Sequence, residues 1–248
     1  MIPVCDRSGW WWPLGLVAGL ATALVSAIGA ASAASLGGAN GPSIAAFAFA
    51  SSSLAPTVLA YENFTGTTGS SLNGTTTDSG GFTWVANAGS WTVQSDEARS
   101  SNNPTANLLF DSGVSNGSVE AVLSRNGNTS WTAGVVFNAN SSLSDGLVAR
   151  WESNNSGTIS LTKRISGSTT TLGTVTALYP STIPGSVTVR LESPATSVIN
   201  VYLDGVLKVT YTLTSGDRTT FKNSTHQYTG LTAFQDTSSS FDDFHVDA

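Results

Sequence analysis

The stretch INVYLDGVLKV, residues 199–209, indicates the fold class of this chain. Its apolar residues Ile199, Val201 and Leu203 alternate with polar ones, as in a β-strand that buries one face. Asp204-Gly205 follows and leads directly into a second apolar run. This dipeptide strongly predicts a two-residue β-hairpin, because a type I′ turn needs positive φ at both positions. We therefore predict two paired strands joined at Asp204-Gly205.

The same alternation recurs along the chain after Tyr61. Short apolar-polar runs are separated by turn residues, and Asn126-Gly127 and Ser166-Gly167 are weaker turn signals of the same kind. No window after Tyr61 shows a convincing 3.6-residue period. The pattern predicts an all-β, antiparallel two-sheet jelly-roll sandwich whose first and last strands are adjacent. The alternating runs lie at residues 119–124, 133–137, 147–152, 159–162 and 187–192.

A gap in charge divides the chain into two segments. Residues 8–61 contain no Asp, Glu, Lys or Arg. A soluble surface needs interspersed charge, so this leader either inserts into something or is removed. We therefore predict an uncharged apolar leader over residues 1–60 and a sandwich over residues 61–248.

Three interpretations of the leader stay open. It is a retained anchor or assembly segment, a cleaved signal peptide ending near Ala31-Ser32-Ala33, or a membrane-spanning helix over residues 10–31. A signal peptide does not account for the second apolar stretch, which runs to Ala60. We favour the anchor, which would join other structural proteins of an assembly or self-associate.

Overall composition excludes several functional classes. The net charge is −6, so nucleic acid and anionic membranes are poor partners for the sandwich. Cys5 is the only cysteine, which excludes an intrachain disulfide and a zinc cluster built on thiolates.

The body of the chain resembles the concanavalin A-like lectin/glucanase superfamily, in its laminin-G-like and pentraxin-like branch. The resemblance implies the sandwich fold. Modules of this appearance occur in secreted bacterial proteins and in minor tail proteins of phages that infect actinobacteria. The matching segments are 61–66, 82–84 and 89–93 at the start, 187–192 and 199–205 in the middle, and 240–246 at the end.

Hydrolases of this superfamily place a Glu-x-Asp-x-Glu cluster on one strand, with its carboxylates on one face. This chain has no such cluster, and Glu120, Glu152 and Glu192 stand alone on their predicted strands. The two histidines are isolated in the sequence, with His226 in a polar loop and His245 in the last predicted strand. We therefore expect a protein that is not an enzyme.

Modules that resemble this one often bind a single calcium ion through carboxylates and carbonyls. Glu62 near the first strand and Asp242 near the last would come together if those strands pair. Calcium is therefore the one candidate cofactor, with loop residues Asp78, Asp96 and Glu97 as alternative ligands.

A sugar-binding surface needs exposed aromatic rings beside planar polar groups. Trp84, Trp91 and Trp151 fall on the predicted inward faces and are expected in the core. The candidate ligand-binding residues are Trp131, which follows a loop, and the outward-facing residues Arg150, Glu152, Arg190 and Tyr202, which we expect to line one polar face.

These observations favour a non-enzymatic adhesion protein that displays a lectin-like sandwich on a larger assembly. The most favoured assembly is a phage virion that contacts surface glycans of its host. The alternatives are a secreted carbohydrate-binding protein with a cleaved signal peptide and, less favoured, a glycoside hydrolase with dispersed carboxylates. The expected location is a virion surface, the extracellular space or a cell surface.

Overall fold

The structure, a computed structural model, describes residues 57–101, 105–126, 132–152, 156–179, 183–234 and 239–248. Its elements in chain order are β1 Val58–Glu62, β2 Val85–Ala88, β3 Trp91–Val93, β4 Ala98–Ser100, β5 Thr105–Asp111, β6 Gly117–Ser124, β7 Thr132–Ala139, β8 Gly146–Glu152, β9 Thr158–Ile165, β10 Ser168–Thr176, β11 Ser186–Ser193, β12 Val198–Leu203, β13 Val206–Thr212, α1 Ser215–Phe221, β14 Tyr228–Phe234 and β15 Ser240–Asp247.

The strands form two antiparallel sheets that pack face to face. The eight-stranded sheet has the order β13-β12-β11-β6-β15-β4-β3, with β1 paired to β15. The seven-stranded sheet has the order β10-β9-β8-β7-β14-β5-β2. The predicted all-β antiparallel sandwich is therefore confirmed.

The predicted hairpin turn at Asp204-Gly205 is also confirmed. Asp204 has a φ of 50° and Gly205 a φ of 74°, and Leu203 pairs with Val206 across the turn. Ser166 and Gly167 have φ values of 49° and 79° and join β9 to β10 in the same way. At the third predicted turn Asn126 has a φ of 45°, while the glycine after it lies outside the described residues.

The first and last strands pair, as predicted. Tyr61 lies opposite His245, and Thr57 and Ala248 exchange backbone hydrogen bonds of 3.4 and 3.0 Å. Since β1 begins at Val58, the last three residues of the segment predicted as the leader belong to this strand. The remaining leader predictions concern residues outside the described ranges and stay predictions. Within those ranges, the structure contains no helix with the length and apolar character to cross a bilayer.

The core lies between the sheets and is rich in aromatic rings. Trp84, Trp91 and Trp151 are 0%, 1% and 0% exposed, which confirms the prediction that they face inward. The Trp84 ring contacts both Phe110 and Phe244 edge-on, with centroids 4.8 and 5.2 Å apart. This packing stabilises the sandwich without a disulfide.

One short helix, α1, was not predicted. Thr214 caps its N-terminus, since the Thr214 Oγ1 accepts a hydrogen bond of 3.1 Å from the Asp217 N–H. Seven residues make too few turns for a helical period to show in the sequence.

Candidate ligand-binding faces

The structure divides the predicted ligand-binding residues between the two sheets. Arg150 and Glu152 lie on β8 of the seven-stranded sheet, whereas Arg190 and Tyr202 lie on β11 and β12 of the eight-stranded sheet. The prediction that they line one polar face is wrong, because alternation tells which side chains point outward but not to which sheet a strand belongs. Trp131 lies outside the described residues.

The first candidate site is on the outer surface of the seven-stranded sheet. Strand register aligns polar and small residues from β5, β14, β7, β8 and β9 across it. We call this surface the Arg150 face, and its members are Asn107, Thr232, Gly134, Arg150 and Ser160 in one row and Phe234 and Glu152 in the next row.

The Arg150 side chain is held in a defined position. Its Nη2 donates to Glu152 Oε1 at 2.7 Å, and its guanidinium lies 4.6 Å from the centroid of the Phe234 ring. The Arg150 and Glu152 side chains remain 24% and 21% exposed. Within the described part of the chain, Glu152 is the only side-chain hydrogen-bond acceptor of Arg150, and the Arg150 Nε is buried there without a partner.

Gly134 forms the floor between Arg150 and Thr232 in this row. A Cβ atom at Gly134 would lie 2.4 Å from the backbone oxygen of Ala149, so no larger residue fits without backbone movement. Beside it, Thr232 Oγ1 donates to Asn107 Oδ1 at 2.8 Å, and both side chains are buried. The floor therefore carries no side chain at Gly134, and its neighbours Thr232 and Asn107 are bonded to each other.

An apolar cluster borders the Arg150 face on one side. Leu109, Val136 and Val148 form the next row of the same outer surface, and Leu143 from the β7–β8 loop packs over them. All four side chains are at most 1% exposed. The loop therefore covers that part of the surface, whereas Arg150, Glu152 and Phe234 remain half-buried.

The second candidate site crosses the outer surface of the eight-stranded sheet. Tyr202 lies opposite Arg190, Arg190 opposite Glu120, Glu120 opposite His245, and His245 opposite Tyr61. We call these residues the tyrosine row, and all of them are half-buried. Arg190 and Tyr202 could be recognised in the sequence by their outward phase. Tyr61, Glu120 and His245 could not be recognised as their neighbours, since no local signal reports pairing between strands distant in sequence.

Hydrogen bonds fix both ends of the tyrosine row. The Tyr202 hydroxyl donates to Glu192 Oε2 at 2.9 Å, and the Tyr61 hydroxyl donates to Asp243 Oδ1 at 3.0 Å. Burial and the bond to Glu192 raise the pKa of Tyr202, and the bond to Asp243 together with burial raises the pKa of Tyr61. In the middle, His245 Nε2 lies 3.7 Å from Glu120 Oε1.

The structure gives the predicted calcium ligands Glu62 and Asp242 different surroundings. Both oxygens of Glu62 accept protein hydrogen bonds, from the Phe64 N–H at 2.9 Å and from Trp84 Nε1 at 3.3 Å. Burial and the neighbouring carboxylates of Asp243, Glu97 and Asp96 raise the pKa of Asp242. In the described ranges, no group of three or more His, Cys, Asp or Glu side chains is placed to hold a metal ion. A calcium site at Glu62 and Asp242 therefore stays a prediction.

The alternative metal ligands are each engaged by a group of the protein. Asp78 lines a cavity of about 140 Å³ together with Glu62, and its Oδ2 accepts the Asn63 N–H at 3.0 Å. Asp96 accepts the Gly66 N–H at 3.3 Å, and Glu97 pairs with Arg99 at 3.4 Å. Each of these carboxylates thus has a protein partner of its own.

No protein-family model and no curated protein sequence matches this chain. Solved structures do match it. A carbohydrate-binding module of Bacillus subtilis, CBM66, has a TM-score of 0.54 at 14% identity over 66% of this chain and 95% of its own. A β-glucanase of Bacillus licheniformis has a TM-score of 0.44 at 11% identity, over 77% of this chain and 92% of its own. A galectin of Caenorhabditis elegans has a TM-score of 0.37 at 14% identity, over 54% and 84%. The fold is the concanavalin A-like jelly roll, as the resemblance implied.

Proposed function

We propose that this protein is a non-enzymatic carbohydrate-binding module and that the Arg150 face is its glycan-binding site. The observation that carries the proposal is the guanidinium of Arg150, which is held between Glu152 and Phe234 and whose Nη1 has no partner among the described residues. A planar cation, a carboxylate and an aromatic ring offer the donors, acceptors and apolar contact that a sugar ring needs.

The pre-formed arrangement of these groups supports the proposal. Arg150 is fixed by an ion pair and by the Phe234 ring, and Gly134 leaves the floor beneath it flat. A ligand that binds there orders few side chains, which lowers the entropy lost on association. The fold adds support, since the Bacillus subtilis structure with the same architecture is a carbohydrate-binding module.

The absence of paired carboxylates supports a binding function over catalysis. Glu152 is the only acidic residue on the described strands β7, β8, β9 and β14, which form the centre of this face. Glycoside hydrolysis ordinarily requires two carboxyl groups across the scissile bond. Hydrolysis is the competing function to be tested, because the superfamily that the chain resembles includes hydrolases.

The uncharged leader supports display of the module on a larger assembly, and a phage tail is the assembly we favour. An apolar segment of this length is stabilised only by burial in a partner or in itself. The alternative is a secreted lectin-like protein. Mass spectrometry of the native protein separates the two, because a mature N-terminus at Ala34 would overturn the anchor and favour secretion.

Glycan binding is tested with immobilised laminarin, xylan and arabinogalactan and with the full-length protein. We expect Arg150→Ala to weaken binding of the recognised glycan about tenfold or more, which is about 1.4 kcal/mol. The matched control is Arg99→Ala, since Arg99 forms a similar ion pair with Glu97 at 3.4 Å on the other sheet. Equal loss in both variants, or no binding by the wild-type protein to any glycan, would contradict the proposal.

The non-enzymatic part is tested on the same polysaccharides by release of reducing ends. We expect no release by the wild-type protein. If the wild-type protein releases reducing ends and Glu152→Gln or Glu62→Gln does not, the protein is a hydrolase and the substituted residue is a carboxyl group that the hydrolysis needs.

A further inference from the structure

We propose that the tyrosine row is a second binding site, on the opposite face of the sandwich from the Arg150 face, for a linear, neutral, β-linked polysaccharide. The chain would lie across the strands, with Tyr61 and Tyr202 at its two ends. This site is separate from the proposed function and does not depend on it.

The dimensions of the row fit an extended chain. Its residues come from β12, β11, β6, β15 and β1, which are consecutive neighbours in the eight-stranded sheet. Adjacent strands lie about 4.8 Å apart, so the row spans about 19 Å. The spacing between neighbouring side chains is comparable with the length of one pyranose unit in a β-linked chain. Each unit of the ligand would therefore meet one side chain of the row.

The chemistry of the row fits a sugar better than a protein partner. Each member presents a planar polar group, namely two phenols, a guanidinium, a carboxylate and an imidazole. Such groups hydrogen-bond to hydroxyls in the sugar plane, and the phenol rings can stack on its apolar faces. Protein interfaces are instead depleted in acidic residues, whereas Glu120 lies within this row and pairs in register with Arg190.

Charge selects a neutral ligand. Glu120 in the row and Glu192 and Asp243 beside it carry negative charge, against one permanent cation, Arg190. Arg190 also lies 3.8 Å from Glu192, which neutralises much of its field. A polyanion such as polygalacturonate or nucleic acid would be repelled.

The two end tyrosines are pre-positioned for stacking. Each phenol donates its hydrogen bond to a carboxylate next to the row, Tyr202 to Glu192 and Tyr61 to Asp243. The guanidinium of Arg190 lies 5.8 Å from the Tyr202 ring centroid and limits the movement of that ring further. Both rings are therefore held near one orientation before the ligand arrives.

The test uses the full-length protein with Arg150→Ala, which disables the site of the proposed function, and calorimetry with cello- and xylo-oligosaccharides of two to six units. We expect affinity to rise with length up to about five units and then to level, since the row presents five side chains over about 19 Å. Tyr61→Ala and Tyr202→Ala should each weaken hexaose binding about tenfold. Tyr202→Phe, which keeps the ring, should weaken it less than Tyr202→Ala.

The matched control is Tyr228→Phe, because Tyr228 lies on the other sheet. Affinity that does not depend on length, preference for polygalacturonate, or full hexaose affinity in the Tyr61→Ala/Tyr202→Ala double variant would overturn the proposal. Absence of binding in the Arg150→Ala protein would also overturn it. The two proposals can fail separately. If Arg150→Ala binds no oligosaccharide although Tyr61 and Tyr202 are unchanged, the tyrosine row is not a binding site. The comparison of Arg150→Ala with Arg99→Ala in glycan binding tests the Arg150 face.

Discussion

Asp204 and Thr188 are joined by a reciprocal pair of hydrogen bonds that fastens a hairpin tip to the adjacent strand. The Asp204 Oδ1 accepts the Thr188 N–H at 2.8 Å, and the Asp204 N–H donates to the Thr188 carbonyl at 2.9 Å. The second carboxylate oxygen accepts the Tyr179 hydroxyl at 3.0 Å. A residue recognised in the sequence as a turn former therefore also holds β11 and the loop after β10 together.

We expect Asp204→Ala to lower the free energy of unfolding by about 1–3 kcal/mol, because the Thr188 N–H and the Tyr179 hydroxyl lose their acceptor. Asp204→Asn is the control, since asparagine tolerates positive φ and keeps an acceptor oxygen. Urea denaturation compares the two. Equal stability of Asp204→Ala and wild type would contradict the assigned role of the carboxylate.

A substitution at Gly205 tests whether the turn is of type I′. Its φ is 74°, and nothing lies within 4 Å of the position that a Cβ atom would take, so a substitution is strained by the backbone and not by crowding. Gly205→Val should cost about 1–2 kcal/mol. Thermal unfolding measures this cost, and a melting temperature within error of wild type would show that the turn differs from type I′.

A substitution at Gly134 tests whether the floor of the Arg150 face can accommodate a side chain. Gly134→Ala would place its Cβ 2.4 Å from the Ala149 oxygen, and we expect a loss of about 1–3 kcal/mol from overpacking. Gly185→Ala is the matched control, because a Cβ at Gly185 has nothing within 4 Å. Chemical denaturation should separate the variants, and similar stabilities would show that the strands accept a side chain at Gly134.

The buried carboxyl of Glu62 makes stability depend on pH. Burial raises its pKa above the ordinary 4.5, against the opposing effect of the bonds from Phe64 and Trp84. The folded chain then binds a proton more readily than the unfolded chain, so this contribution is complete below pH 4.5 and is lost as pH rises through the folded pKa. Glu62→Gln should flatten this part of the profile of unfolding free energy against pH. An unchanged slope in the variant would contradict the prediction.

Lys222 joins α1 to two loops through backbone oxygens. Its Nζ donates to the carbonyls of Ser115, Ser193 and Pro194 at 2.9, 2.8 and 2.9 Å. Lys222→Met should cost about 2 kcal/mol or more, since buried acceptors lose their donor. Lys208→Met is the control, because the Lys208 side chain forms no hydrogen bond or ion pair within the described ranges. Equal melting temperatures of the two variants would contradict this role.

Local sequence patterns predicted those parts of the fold that depend on neighbouring residues. Alternation located strands such as β11 and β12, and Asp204-Gly205 located the turn after β12, because both signals act within a few residues. The inward position of Trp151 followed from the same alternation. The pairing of β1 with β15 was predicted from the resemblance of the opening and closing segments.

Relationships between distant strands could not be predicted in this way. Arg150 and Arg190 have the same outward phase, yet they belong to different sheets, because sheet membership depends on the path of the whole chain. The line from Tyr61 to Tyr202 depends on the register of four separate strand pairs. Helix α1 was missed for another reason, since its signal is a single cap at Thr214.

The hydrogen bonds between Thr57 and Ala248 bring the two ends of the sandwich to one point on its surface. A domain whose ends meet can be inserted into a loop of a host protein, or exchanged between hosts, without stretching either partner. The sandwich can therefore be inserted into another protein as one folded unit. Its loops and outer faces can diversify in sequence while the point of attachment stays the same.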